Sequence, residues 1–221
     1  MSSYDPIALN DEGRDLWDRK AVFWDALQGE EGNRFHRTLV SPAVEQASGA
    51  PITYGIADAT DEDALVALGQ GAFDAVICTM ALMDMPVIAP LYRAARRLLR
   101  AGGRLVIATA HPAFSSNSPV NYAERAEVEG RYVIETGLKV SRYLNIPPFK
   151  AMGAQGEDNA HYYYHRPLHE LLGEAFAAGF VLDALEEPPT VPDEREPYNP
   201  LTRHAILQIP LVLAARFRVA L

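Results

Sequence analysis

The stretch FDAVICTMALMDMPVIAPLYRAARRLLRAGGRLVIATA, residues 73–110, decides the fold. Its ends, FDAVICTMAL and RLVIATA, are nearly unbroken apolar runs with β-branched residues. Such runs suit parallel strands covered on both faces. Between them, Pro86 opens a helix in which Ile88, Leu91, Ala95, Leu98 and Leu99 form one stripe at helical spacing. Gly102 and Gly103 stop that helix before the second run begins. A buried strand, a helix and a buried strand in this order make one crossover unit of an α/β sheet.

The same alternation extends in both directions. Upstream, ITYGIAD (52–58) reads as a short strand ending on Asp58, and Thr60 with Asp63 forms a capping-box pattern ahead of ALVAL. That helix ends at Gly69 and Gly71. Downstream, Pro167 stands at a first helical position, and Leu168, Leu171, Leu172, Ala175 and Phe176 make the apolar face of another helix, closed by Gly179. FVLDALEE then reads as a strand, and a proline-rich loop leads to a last strand in AILQIPLVLAARFRVA. At the N-terminal end, Trp17, Ala21, Trp24 and Leu27 recur at helical spacing between Asn10 and Gln28, and a second short helix carries Phe35, Leu39 and Val44. The expected organisation is an N-terminal helical cap over residues 1–46 and an α/β core over 47–221. Within that core, residues 112–160 are polar and rich in Pro and Gly, and are expected to form an irregular insertion or lid.

Bulk properties exclude several classes. A chain of 221 residues, 48% hydrophobic and 22% charged, buries a sizeable core. A net charge of −9 argues against nucleic acid, which needs a basic face; the one basic cluster, RAARRLLR, reads as a solvated helix face. No apolar run reaches the roughly 18 residues of a membrane span, and the first residues lack an apolar leader core. Cys78 is the single cysteine, so no disulfide framework exists, and a cytoplasmic location is expected.

In open α/β sheets ligands bind at the carboxyl ends of the strands. Asp58 is there either to accept a hydrogen bond from an exocyclic amine, with the Ala59 N–H pairing a ring nitrogen, or to cap the following helix. Thr79, Met80 and Met85 either line an apolar slot for an aromatic ring or are core packing. His111, directly after the second run, is a candidate general base or a turn histidine ahead of Pro112. Tyr162, Tyr163, Tyr164 and His165 are candidates for the wall of an acceptor pocket. His161, His165 and His169 recur every four residues, but Pro167 interrupts a shared helical face, so no metal site is expected.

Taken in order, YGIADATD, FDAVICTMAL, LYRAARRLLRAGGRLVIAT, the helix and strand in YHRPLHELLGEAFAAGFVLDALEEP, and the closing IPLVLAARF strongly resemble class I S-adenosylmethionine-dependent methyltransferases. Ala101 stands where most members have proline before the Gly-Gly turn. The segment FWDALQGEEGNRFHRTLVSPAVE is similar to the cap helices of the small-molecule branch. The resemblance covers most of the chain. It implies an α/β, Rossmann-like sheet with an antiparallel last strand, S-adenosyl-L-methionine as cofactor, and methyl transfer to a small-molecule acceptor. It further implies that Asp58 contacts the adenine amine and Ala59 its ring edge. Thr79 and Met80 would lie beside the methionyl part and Met85 beside the adenine, while Gly29, Asn33 and His36 would close over the cofactor. No nucleic-acid or membrane partner is expected, and a homodimer is the candidate assembly.

One departure stands out. Family members carry a first strand, a Gly-rich loop, a helix and a second strand ending in an acid, and all of it should lie between Gln46 and Pro51. Only four residues, Ala47–Ala50, stand there, whereas such a unit takes roughly 30. The alternative reading is therefore a degenerate methyltransferase-fold protein that binds a partner without the cofactor. A nicotinamide-dependent oxidoreductase lacks its fingerprint at the same place and fits the downstream segments less well.

Overall fold

A computed structural model describes residues 4–28, 55–116, 118–153, 156–189 and 208–220 of the chain. Gly29, Asn33 and His36, the short helix around Phe35, Leu39 and Val44, and the link between Gln46 and Pro51 lie outside the described residues. The chain divides into two units, Ser3–Ala57 with Lys150–Tyr162, and Asp58–Phe149 with Tyr163–Leu221.

In the second unit the crossover read from residues 73–110 is present. Strand β1 (Phe73–Thr79) pairs in parallel with β2 (Leu99–Ala110), with Val76 level with Leu105 and Thr79 level with Ala108. Helix α3 (Ala89–Leu98) connects them, and its residues Leu91, Ala95 and Leu98, with Ile88 before it and Leu99 after it, are all buried. The helix starts at Ala89 rather than Pro86, with Pro90 in its first turn, where the missing N–H costs nothing. A short helix, α2 (Glu62–Val66), docks on α3 through Glu62, whose carboxylate pairs with Arg93 at 2.6 Å and Arg97 at 3.3 Å. Its cap is Asp61, which accepts from the Asp63 and Ala64 N–H groups. Thr60 does not cap, because Asp58 takes both its N–H and its hydroxyl.

Two further strands complete a mixed sheet in the order β1-β2-β8-β7. Strand β8 (Val212–Val219) runs antiparallel to both β2 and β7 (Phe180–Glu186). Helix α4 (Leu168–Ala177) precedes β7 and buries Leu171 and Ala175, with Leu168 and Leu172 against the same core. Phe217, fully buried, meets the rings of Phe180 and Phe176 edge-on.

Three expectations need correcting. Gly55–Asp58 holds no strand; in its place Asp58 folds its side chain onto Thr60. Strand β1 is not covered on both faces: Ala75 is exposed and Ile77 is 65% exposed, because its apolar residues alternate between the core and an open side. The region 112–160 is not irregular. It contains a nine-pair antiparallel hairpin of β3 (Val120–Val128) and β4 (Arg131–Lys139). Glu129 and Gly130 form its two-residue loop, both at positive φ (51° and 73°), the conformation that matches the twist of paired strands.

In the first unit, helix α1 (Pro6–Gln28) begins four residues before Asn10, with Asp5 accepting from the Ile7 N–H. Residues 150–151 and 161–162 are this unit's share of the short strands β5 (Phe149–Ala151) and β6 (His161–Tyr163), which form a two-stranded ribbon. The buried face of α1 includes Trp17 and Trp24 but not Ala21, which is exposed. At its centre is Lys20, 2% exposed, whose Nζ is 2.7 Å from both Glu157 Oε1 and His161 Nδ1. Trp24 Nε1–H and the Gly153 N–H also donate to Glu157, and the Trp17 ring lies 4.6 Å from that of His161. Burial alone would raise the Glu157 pKa, but Lys20, Gly153 and Trp24 together hold it at about 2. His161 is pushed below 6.5 by burial and by the Lys20 charge, against the opposing pull of Glu157.

Both pKa values lie below those of the unfolded chain, so the folded unit binds fewer protons and loses stability as pH falls. The His161 share is lost from about 6.5 downward and the Glu157 share from about 4.5 toward 2. Urea unfolding followed by Trp17 and Trp24 fluorescence is expected to show a falling midpoint between neutral pH and about pH 5, and His161→Gln should flatten that decline. In the sheet, a Cβ on Gly103 would sit 2.9 Å from Leu99, 3.0 Å from the Arg100 carbonyl and 3.1 Å from the Asp74 carbonyl. Two of those are backbone atoms that cannot swing aside. Gly103→Ala is expected to cost about 1–3 kcal/mol in thermal unfolding.

Candidate functional site

Parallel pairing brings the ends of β1 and β2 to one edge of the sheet. The chain leaves β1 through Met80, a non-glycine residue at φ 50°, whose N–H donates to the Ala108 carbonyl at 2.7 Å. A left-handed side-chain-bearing residue at a strand end is strain of the sort that collects at ligand sites. The chain then makes a 3₁₀ turn, Leu82–Asp84, and reaches Met85, which is buried in the core.

Arg166 fixes the next layer. One guanidinium nitrogen donates to the carbonyls of Leu82 at 2.9 Å and Tyr164 at 3.4 Å, and the other to that of Met85 at 2.5 Å. The Tyr164 N–H in turn donates to the Met83 carbonyl. The segment 163–166 is thereby laced to the turn after β1. The result is a cleft of about 70 Å³, open to solvent on one side, between that turn, the end of β2 and this segment. Leu82, Met83, Phe149, Tyr163 and Leu171 supply apolar walls, and Thr109, His111, Ser115, Ser116, His165 and Arg166 supply the polar groups. The rings of Phe149 and Tyr163 stack 5.6 Å apart. An apolar concavity with a few convergent polar groups at the carboxyl edge of an α/β sheet is the expected form of a ligand site.

The histidines of this cleft differ. His111 is buried, with Nε2 2.8 Å from Glu187 Oε1 and Nδ1 accepting from the Ala113 N–H at 3.2 Å. Because Nδ1 accepts, the proton is on Nε2 and both ring nitrogens are engaged. His165 places Nε2 2.5 Å from the Tyr143 carbonyl, which only accepts, so Nε2 carries the proton there as well. Of the two remaining histidines of the His161–His165–His169 series, His161 is taken up by Lys20 and His169 is exposed beside Glu170. Among the described residues no group of His, Cys, Asp and Glu is arranged to hold a metal ion.

The structure brings Thr79, Met80 and His111 to the same sheet edge, with Met85 held there through Arg166. Asp58 and Ala59 precede α2, with Ala59 packed against the core and the Asp58 carboxylate bonded to Thr60. A carboxylate beside a backbone N–H suits the amine and ring edge of an adenine. The adenine end of S-adenosylmethionine therefore fits this donor set. Among the described residues there is no counterpart for the Gly-rich turn or the ribose-binding acid. Arg166, Glu187 and Tyr143 carry no sequence signal, since each acts through a partner far along the chain. The Cys78 thiol is buried in the core and pushed up to about 11 by burial and by Asp84, which leaves it unreactive.

Residues 35–107 match a family model described as a methyltransferase domain. The match runs through the short link and on to the middle of β2. In fold, the chain is similar to a S-adenosylmethionine-dependent methyltransferase from Mesorhizobium loti, with a TM-score of 0.50 and 22% identity over 81% of this chain and 75% of that one. It is also similar to a protein of Listeria monocytogenes described in the same terms, with a TM-score of 0.54 and 18% identity over 83% of this chain and 77% of the other. No curated protein matches it. The family match is confined to residues 35–107, and the likeness to the two solved structures is one of fold. The Rossmann-like sheet with its antiparallel last strand is thereby borne out, and the match of residues 35–107 to a methyltransferase domain agrees with the methyltransferase reading. Among the described residues no helix is long and apolar enough to cross a membrane.

Arg166 supports three carbonyls with charge-assisted bonds. Arg166→Ala is expected to lower stability by about 2–3 kcal/mol in thermal unfolding. Lysine, a point charge without a fork, should restore less than half of that.

Proposed function

We propose that this protein is an S-adenosylmethionine-dependent methyltransferase that transfers the methyl group to a small molecule seated in the cleft between the turn after β1, the end of β2 and residues 163–166. The observation that carries this reading is the place of the cleft: it opens at the carboxyl end of β2, against Leu82 and Met83 of the turn that follows β1. Bound, the cofactor supplies a sulfonium methyl, whose former bond pair stays on sulfur when the acceptor takes the methyl. The Asp58 carboxylate and the Ala59 N–H would hold the adenine edge, Met85 would border the adenine, and Thr79 and Met80 would border the methionyl part. The apolar walls exclude water from the acceptor and hold it for in-line attack, which is where most of the rate advantage of such a site arises. His111, oriented by Glu187 and the Ala113 N–H, stands at the β2 side of the acceptor. To act as its base it would have to release the Ala113 amide.

The second reading, a partner-binding protein that has lost the cofactor, is favoured by one observation, the four residues between Gln46 and Pro51. Calorimetric titration of the full chain with S-adenosylmethionine separates the two. Dissociation constants on the order of micromolar are expected, weakened about tenfold or more by Asp58→Ala, which removes a charged hydrogen-bond acceptor. A folded sample that produces no heat would favour the second reading.

A further inference from the structure

His165 holds a position that His111 does not. Its Nε2–H is committed to the Tyr143 carbonyl, and the Tyr143 ring packs edge-on against the imidazole at 5.7 Å. The Tyr143 hydroxyl accepts the Leu168 N–H at 2.8 Å, so the residue that orients His165 is itself anchored at the start of α4. This arrangement fixes the ring and its tautomer. Nδ1 is left as the proton-accepting atom of a residue that lines the cleft.

The geometry points to His165 Nδ1 as the proton acceptor of the methyl-acceptor site, and to an acceptor with an apolar or aromatic body bearing a hydroxyl. This rests on the methyl-transfer reading of the cleft and deepens it. Among the described residues no carboxylate lines the cleft to hold a protonated amine, and the Arg166 guanidinium disfavours one further. The acceptor therefore enters neutral. Phe149, Tyr163, Leu82 and Met83 suit a flat apolar body. A neutral hydroxyl must lose its proton as it is methylated, and Nδ1 is placed to take it. The proton moves to Nδ1, an oxygen lone pair becomes the new O–C bond as the methyl–sulfur bond pair stays on sulfur, and the imidazolium, its Nε2–H still on the Tyr143 carbonyl, returns the proton to water.

Burial pushes the His165 pKa below 6.5, and Arg166 acts in the same direction, while the Tyr143 carbonyl and Glu170 of α4 pull it up. The net effect keeps the ring neutral, and so able to accept a proton, at neutral pH.

The test uses the full chain and two probe acceptors, phenol and 4-nitrophenol, at a pH where only the second is already ionised. His165→Gln is expected to lower kcat/KM for phenol by about 100-fold or more, and to change that for 4-nitrophenol only slightly. A purely structural role would lower both alike, and that result overturns the proposal. Wild-type protein that methylates neither probe overturns the acceptor class. Nitrogen-15 spectra of the wild-type ring supply a readout independent of turnover: a proton on Nε2 is expected, and a proton on Nδ1 overturns the assignment. S-adenosylmethionine binding measured on the same samples reports on the methyl-transfer reading separately, and His165→Gln should leave it unchanged.

Discussion

The parallel pairing of β1 with β2 is the constraint on which the rest depends. Two parallel neighbours cannot be joined by a tight turn, so the chain must cross over, and α3 does so with an apolar stripe that lands on the sheet. The register that makes Thr79 level with Ala108 carries β2 on to Ala110 past the end of β1, so both strands deliver their outgoing segments to one edge of the sheet. The cleft of the second unit is then built from what the two outgoing segments carry, Met80 to Met85 on one side and Thr109 to Ser116 on the other, together with residues 163–166 laced to the first. At the opposite edge the same pairing needs the bare Cα of Gly103 against the Asp74 carbonyl, so a single hydrogen atom there permits the geometry of the cleft at the far end.

The cleft itself is held by polar groups that have little left to offer a ligand. Arg166 is spent on carbonyls, His111 on Glu187 and Ala113, and Ser115 on the Leu211 carbonyl. A site built this way discriminates by shape and by very few open hydrogen-bonding positions. That is the economy expected where the cofactor supplies the reactivity and the protein supplies orientation and dryness.

Much of this was legible in the chain itself, and what was not has physical causes. The stripe Ile88–Leu99 and the face of α4 were readable because helical periodicity reports burial directly. Lys20 was not, because a buried charge looks like a solvent residue until its partners at positions 157 and 161 are known. The cap of α2 was misplaced by one residue because Asp58, Thr60 and Asp61 all suit such a position, and only their mutual bonds decide which takes it. The exposure of Ile77 depends on what stands beside β1, which no local pattern encodes. The hairpin was within reach, since alternating residues flank Glu129-Gly130, but its charged faces hid the period. The distinction between His111 and His165 is set by Glu187 and Tyr143, 76 and 22 residues away.

Strand β8 lies between β2 and β7, yet it follows both in the chain. During synthesis, β7 therefore emerges with no sheet to join, and its apolar face and open hydrogen-bonding edge persist until β8 is made. The hairpin of β3 and β4 closes on nearest neighbours and can form as soon as it appears, but the sheet cannot. The nascent chain spends that interval with β1–β2 and β7 as separate sticky pieces, the state in which such proteins are most open to chaperones and to wrong pairing. The last stretch of the sequence is thus the bolt that turns two fragments into one sheet.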